Sequence, residues 1–218
     1  MSWREEIEAV ARARATEESL ELWNQHAGER PRFNYRWEHL LAVDRVCTWL
    51  GPELGADTDV LTAAVWLHDT VKSHTLELPD VSDAEMAAKE ARRILQSTDF
   101  PRSKLDAVCE AIRLHEGLHK DHRIEQLEAA ILWDADKLSK LGATHLVHSL
   151  CIRPAFDPVF QGRSTDTDLV LSSEDEWLEI GEKIVASMNT EPGRNEAERR
   201  LAFLKQFVQE LKGEWEMN

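Results

Sequence analysis

The run Leu61-Thr62-Ala63-Ala64-Val65-Trp66-Leu67 is apolar at almost every position and ends in the dipeptide His68-Asp69. A helix that is apolar on nearly every side has no solvent face, so other elements must surround it. The rest of the chain must therefore supply apolar faces to wrap this one. An imidazole and a carboxylate in tandem at the end of such a helix are two polar groups at or near the core. Burying them without partners is costly, and a bound metal ion is one of the few partners that satisfies both.

The wrapping elements read as helices. Glycine (9) and proline (7) are sparse among the 218 residues, and helix-forming residues dominate. No Val/Ile alternation marks a strand, so the pattern is all-α. Periodicity places helices at about 2–25, 35–50, 58–72, 83–96, 102–116, 124–140, 143–150, 174–188 and 195–215. Asp57 caps the third, Ser82 with Glu85 and Ser173 with Glu176 fit capping boxes, and Pro101 fits the first turn of the fifth. Two prolines and a polar run between Arg153 and Ser172 predict a surface loop or a lid. With no internal repeat or linker, residues 1–218 read as a single compact multi-helix domain. Its motif-bearing core covers about 30–150, and 151–218 supply a loop plus closing helices.

Composition removes several function classes. A formal charge of -15 argues against duplex nucleic acid or an anionic membrane as the main partner. No apolar stretch approaches the roughly 20 residues that span a bilayer. The N-terminal Met1-Ser2-Trp3-Arg4-Glu5-Glu6 is acidic and lacks a signal-peptide pattern. Cys47, Cys109 and Cys151 are isolated and odd in number, which suits reduced thiols in a cytoplasmic protein. There is no phosphate-binding Gly-rich loop, dinucleotide fingerprint or nucleophile elbow. Exposed helical faces leave room for a homodimer.

Three- and four-residue steps bring polar residues onto the core-facing stripes. His39 heads the stripe of Val43, Val46 and Leu50. Leu61 and Val65 run into His68 and Asp69. Leu105, Val108 and Ile112 lead to His115, and Ala129 and Leu132 lead to Asp136, with Asp134 flanked by Leu127, Ile131 and Leu138. One such residue is commonly a hydrogen-bonded structural group. Several, helix after helix, predict a convergent site. Imidazoles and carboxylates suit Mn, Fe, Co, Ni or Zn, with Mg for oxygen-rich variants.

The ordered set His39, His68-Asp69 and Asp136 resembles the H…HD…D pattern of the HD-domain metal-dependent phosphohydrolases. The similarity is greatest to small stand-alone bacterial members, which carry a further His, here His115, before a stretch like Asp134-Ala135-Asp136-Lys137-Leu138. Thr70-Val71-Lys72-Ser73-His74 lacks the Glu-Asp pair of the stringent-response hydrolases. The resemblance implies an all-α HD fold with a divalent ion (Mn, Mg, Co, Ni, Fe or Zn) held by His39, His68, Asp69 and Asp136. It also implies hydrolysis of a phosphate ester or anhydride of a small molecule, most readily a nucleotide.

Roles follow as expectations. Asp69 orients or deprotonates the attacking water. Lys72, one helical turn past His68, neutralises phosphate oxygens, and Arg36, one turn before His39, does the same. His115 contacts phosphate, with leaving-group protonation or a second metal site as alternatives. Trp37 and Trp66 are close enough to the ligands to line the pocket. Arg4 with Glu8 and Arg14 with Glu18 read as pairs along the first helix. His119 and His122 read as a solvated loop beyond Gly117. Two other functions compete: a non-catalytic metal- and nucleotide-binding regulatory module, and a di-iron oxygenase on the same fold.

Overall fold

The computed structural model describes residues 2–71, 82–120, 122–156 and 174–215. Every regular element among them is helical. They run α1 (Trp3–Leu22), α2 (Tyr35–Leu54), α3 (Thr58–Leu67), α4 (Asp83–Gln96), α5 (Leu105–Leu114), α6 (Leu127–Ser139), α7 (Ala143–Phe156), α8 (Glu174–Ala186) and α9 (Glu191–Trp215), with a 3-10 turn over Arg102–Lys104.

The apolar run is α3, and it is the hub. It packs against α1, α2, α4, α5 and α6, and Val60, Leu61 and Ala63 to Leu67 are all buried. Its N-terminus is capped as expected, with Asp57 Oδ1 accepting from the backbone N–H of Asp59 (3.0 Å) and Val60 (3.3 Å). The second buried helix is α6, where every residue from Ala129 to Ser139 is buried, held between α2, α3, α5 and α9. α4 packs against α5, and its buried face includes Ala84, Ala87, Ala88 and Ala91. Small side chains there let the two helices approach closely.

Helix ends differ from the sequence reading in four places. α3 stops at Leu67 rather than near residue 72, with His68 as its C-cap. α2 and α7 each run on through a proline in the last turns, Pro52 and Pro154. Residues 151–156, expected to open a loop, are therefore the end of α7. α9 starts at Glu191, earlier than expected. The cap at Ser173, the rest of the expected lid and Lys72 lie outside the described residues. The basic residues of α1 also find tertiary partners instead of their own helix. Arg4 pairs with Asp59, and Arg14 pairs with Glu90 and the Thr70 carbonyl. Among the described residues no helix is long and apolar enough to cross a membrane.

Candidate metal centre

Four helices deliver the site, and two use the same local device. α3 and α5 both end one residue before a histidine, so His68 and His115 are C-caps. The last turn of a helix leaves carbonyls without intrahelical partners. His68 Nδ1 lies 2.7 Å from the Val65 carbonyl oxygen, and His115 Nδ1 meets that of Ile112 in the same way. A carbonyl can only accept, so Nδ1 carries a proton in both rings, and Nε2 is the nitrogen left to offer a lone pair in the neutral form. After His115, Gly117 at φ 99° turns the chain away, a conformation that favours glycine.

His39 reaches the same state by another route. α2 is capped by Asn34, whose side chain accepts from the Trp37 N–H, and His39 lies just over one turn inside on the buried stripe. Its Nδ1 is 3.0 Å from Ser139 Oγ. That hydroxyl has one hydrogen and donates it to the Asp136 carbonyl at 2.6 Å. Ser139 therefore accepts from His39 Nδ1–H, which leaves His39 Nε2 bare.

The bare nitrogens and two carboxylates converge. His39 Nε2 lies 3.3 Å from His68 Nε2, 3.3 Å from Asp136 Oδ1 and 3.6 Å from Asp69 Oδ2. Asp69 Oδ2 is 3.8 Å from His68 Nε2, and its Oδ1 is 3.8 Å from His115 Nε2. The donors fall into two overlapping triads, His39–His68–Asp136 and His68–Asp69–His115. Acceptors facing acceptors repel unless a cation lies among them. Two donors each about 2.1 Å from one ion stand roughly 3.0–3.4 Å apart, so the 3.3 Å spacings of His39 Nε2 to His68 and Asp136 fit an ion of that size, and the Asp69 contacts at 3.6 and 3.8 Å are wider. Burial pushes His39 down from its ordinary pKa and His68 down to about 3, so both rings are neutral at pH 7, the form that coordinates metals.

Positive charge surrounds the donors. Burial alone would raise the Asp136 carboxyl, but Lys140 and Lys137 beside it hold it well below the usual carboxylate range. Lys140 Nζ is 2.8 Å from Asp136 Oδ1. Lys137 is only 1% exposed; its ammonium donates to Asp136 and, at 3.0 Å, to the His115 carbonyl, over the face of Trp133. Arg36 arrives on α2 clamped by Glu18 of α1 (2.8 and 3.0 Å) and donates its remaining Nη1 to Asp69. These groups open on a pocket of about 260 Å³ lined by Arg36, His39, Asp69, His115, Asp136, Lys137 and Lys140, among others.

The structure thus brings together the residues expected as metal ligands, His39, His68, Asp69 and Asp136, and adds His115 as a fifth donor. Arg36 reaches the pocket by way of Asp69. Asp134 is separate: its carboxylate accepts from the backbone N–H of Asn189 (2.8 Å) and Thr190 (2.8 Å) and from Thr190 Oγ1 (2.7 Å) at the start of α9. Trp37 and Trp66 stack on each other, centroids 5.3 Å apart, and do not line this pocket. His119 and His122 are exposed. Glu18 reads in the sequence as a partner of Arg14, so its clamp on Arg36 was missed, and Ser139, Lys137 and Lys140 escaped sequence reading.

The model of the HD domain matches residues 36–141. Residues 36–141 are an HD domain. The match begins at Arg36 and ends at Leu141, and so contains all five donors and both lysines. Solved structures extend the likeness of fold to the flanking helices. An HD-superfamily hydrolase from Bacillus thuringiensis is 20% identical over 100% of both chains, with a TM-score of 0.62. A predicted HD superfamily hydrolase from an uncultured Thermotogales bacterium is 21% identical over 97% of this chain and 92% of its own, TM-score 0.63. Bacillus subtilis YpgQ in complex with ADP is 20% identical over 95% of this chain and 98% of its own, TM-score 0.60. At such identities the likeness is one of fold. No curated protein matches the chain in sequence.

Proposed function

We propose that this protein is a metal-dependent phosphohydrolase that cleaves a phosphate ester or anhydride of a small molecule, a nucleotide. One observation carries the reading: a cluster made only of acceptors opens on a pocket rimmed by Arg36, Lys137 and Lys140. The acceptors suit a divalent ion, and the cations suit phosphate oxygens in an otherwise acidic protein. YpgQ, crystallised with ADP, supports a nucleotide as the phosphate carrier.

His39, His68, Asp69 and Asp136 would hold the ion, with His115 either beside them or turned to the phosphate. When bound, the ion would make water more acidic at this site. Asp69 would orient the attacking water and accept its proton; Arg36, itself fixed by Glu18, sets the carboxylate's plane. Lys140 and Lys137 neutralise phosphate oxygens as charge builds during cleavage.

The test is to strip the protein and restore Mn, Co, Ni, Fe, Mg or Zn singly. A panel of nucleotides and sugar phosphates is then assayed for released orthophosphate and pyrophosphate. Turnover by the wild type and a loss of at least about 100-fold in Asp69→Ala are expected; unchanged turnover in that variant overturns the assignment. Tight nucleotide binding without turnover under any metal instead favours the regulatory module. A di-iron oxygenase needs more His and Asp donors than the four expected ligands, and His115 is one such donor. Two irons per chain with substrate-dependent oxygen uptake would establish it.

A further inference from the structure

The metal pocket is the smaller of two joined spaces. A second cavity of about 660 Å³ lies beside it, and Tyr35, Arg36, Leu118 and Lys140 line both. Small-ligand sites span about 300–1,000 Å³, so the 260 Å³ pocket alone is too small for a whole nucleotide, and the second chamber supplies the missing room. The two chambers differ in character. At the threshold stand the cations Arg36 and Lys140. Beyond it the wall is largely apolar, with Leu22 of α1, Ile152 and Phe156 of α7 and Ile180 of α8. Its carboxylates are Glu18 and Glu21. An anion is repelled there, so a phosphorylated molecule bound across the threshold has its phosphates on the metal side and an uncharged part inside.

The inner wall is not uniformly greasy. His145 and Ser149, one turn apart on α7, face it together, with Ser149 Oγ 3.4 Å from His145 Nε2. His145 lies edge-on to Trp177, centroids 6.2 Å apart. Burial, with His148 nearby, lowers the His145 pKa, so at pH 7 its ring is neutral, offering one donor and one acceptor. An alkyl chain has no use for such a pair, whereas a heterocycle with donor and acceptor atoms along its edge does.

We propose that the base and sugar of the nucleotide occupy this second chamber, and that His145 and Ser149 read the edge of the base; this rests on the phosphohydrolase reading above. Chemistry and recognition then come from different parts of the chain. The donors and lysines lie within the HD-domain match at 36–141. Glu21, Leu22, His145, Ser149, Ile152 and Phe156 lie outside it. Proteins sharing the H…HD…D core could differ in substrate through these flanking helices alone.

Binding separates this from the hydrolytic reading. Methylene-bridged nucleoside triphosphate analogues with each base, methylenediphosphonate and decyl diphosphate are titrated calorimetrically with Mn2+. The proteins are wild type, Ile152→Trp, which fills the chamber, and His145→Ala, which opens it, each checked for native helicity and melting. Ile152→Trp is expected to weaken every nucleoside analogue about tenfold or more while leaving methylenediphosphonate unchanged, since one displaced ring is worth over 1.4 kcal/mol. His145→Ala is expected to change the ratio between bases about fivefold. If Ile152→Trp does not fold, the His145→Ala ratio decides alone. Equal losses for methylenediphosphonate, no effect of either variant, or tighter binding of decyl diphosphate than of any nucleoside analogue overturns the proposal. The expected pattern without hydrolysis under any metal overturns the hydrolase and leaves the chamber assigned.

Discussion

Because Ser139 Oγ accepts the hydrogen bond from His39 Nδ1–H, its removal frees that imidazole to rotate or to adopt the other tautomer, whose Nε2–H cannot ligate a metal. Ser139→Ala is therefore expected to weaken Mn2+ affinity by roughly 10- to 100-fold with the fold intact. Calorimetric titration beside a circular dichroism spectrum checks this, and unchanged affinity would remove Ser139 from the centre. Four of the donors were legible in the sequence because each lies on or at the end of a stripe whose other members are apolar, which makes a His or Asp conspicuous; His115 stands out in the same way but reads first as a phosphate contact. Ser139 and Lys137 sit on the same buried helix, yet a serine or a lysine beside an aspartate reads as ordinary helix surface. Lys137 is buried because the His115 carbonyl, the Asp136 carboxylate and the Trp133 face receive its ammonium together. One of those partners comes from another helix, and no helical period encodes it. The Glu18 clamp was missed for the same reason: its partner Arg36 is on another helix.

At the scale of elements, α9 is fastened at its start and along its first turns. Asp134 on α6 receives four hydrogen bonds there, and a side chain at Gly193 would place its Cβ 2.5 Å from Asp134 Oδ2. Asp134→Ala leaves buried N–H groups without acceptors and is expected to cost about 2–3 kcal/mol. A lower urea midpoint with unaltered Mn2+ affinity is the expected pair of readings; weakened affinity would tie Asp134 to the metal instead. Farther along α9, hydrogen bonds from Arg199 and Arg200 hold the Glu196 carboxyl down from its ordinary 4.5 to about 2. The unfolded chain binds the proton more readily, so the contribution is complete above pH 4.5 and is lost as pH falls toward 2. Solvent screening limits it to about 1 kcal/mol. Glu196→Gln should lower the urea midpoint at pH 7 and differ less from wild type at pH 3.5; an equal difference at both would refute the ion-pair origin. Helix ends were read less well than helix cores. Periodicity ends the second and seventh helices at about 50 and 150, but α2 and α7 continue through Pro52 and Pro154 to Leu54 and Phe156.

For the molecule as a whole, α3 was predictable as the hub, since a helix without a polar face can only be surrounded. The order in which α1, α2, α4, α5 and α6 surround it was not predictable, because any apolar face could have met it. That packing is what creates the metal centre. His39 is 29 positions from His68 in the chain, their Nε2 atoms meet at 3.3 Å, and an unfolded chain holds no such array. An ion that binds only the folded state stabilises it by RT ln(1 + [metal]/Kd), about 2.7 kcal/mol at a hundredfold excess over Kd. For a chain of this length each kcal/mol moves the melting temperature by about 2–4 °C. Saturating metal is thus expected to raise Tm by roughly 5–10 °C and a chelator to reverse it. Three imidazoles favour Mn2+, Co2+, Ni2+ or Zn2+ over Mg2+, so Mg2+ should give the smallest shift at equal concentration. His68→Ala, which removes the donor common to both triads, should abolish the shift while still melting cooperatively. A shift of equal size in that variant would mean that the ion binds elsewhere, and no shift with any of these metals would mean that the acceptors meet without one.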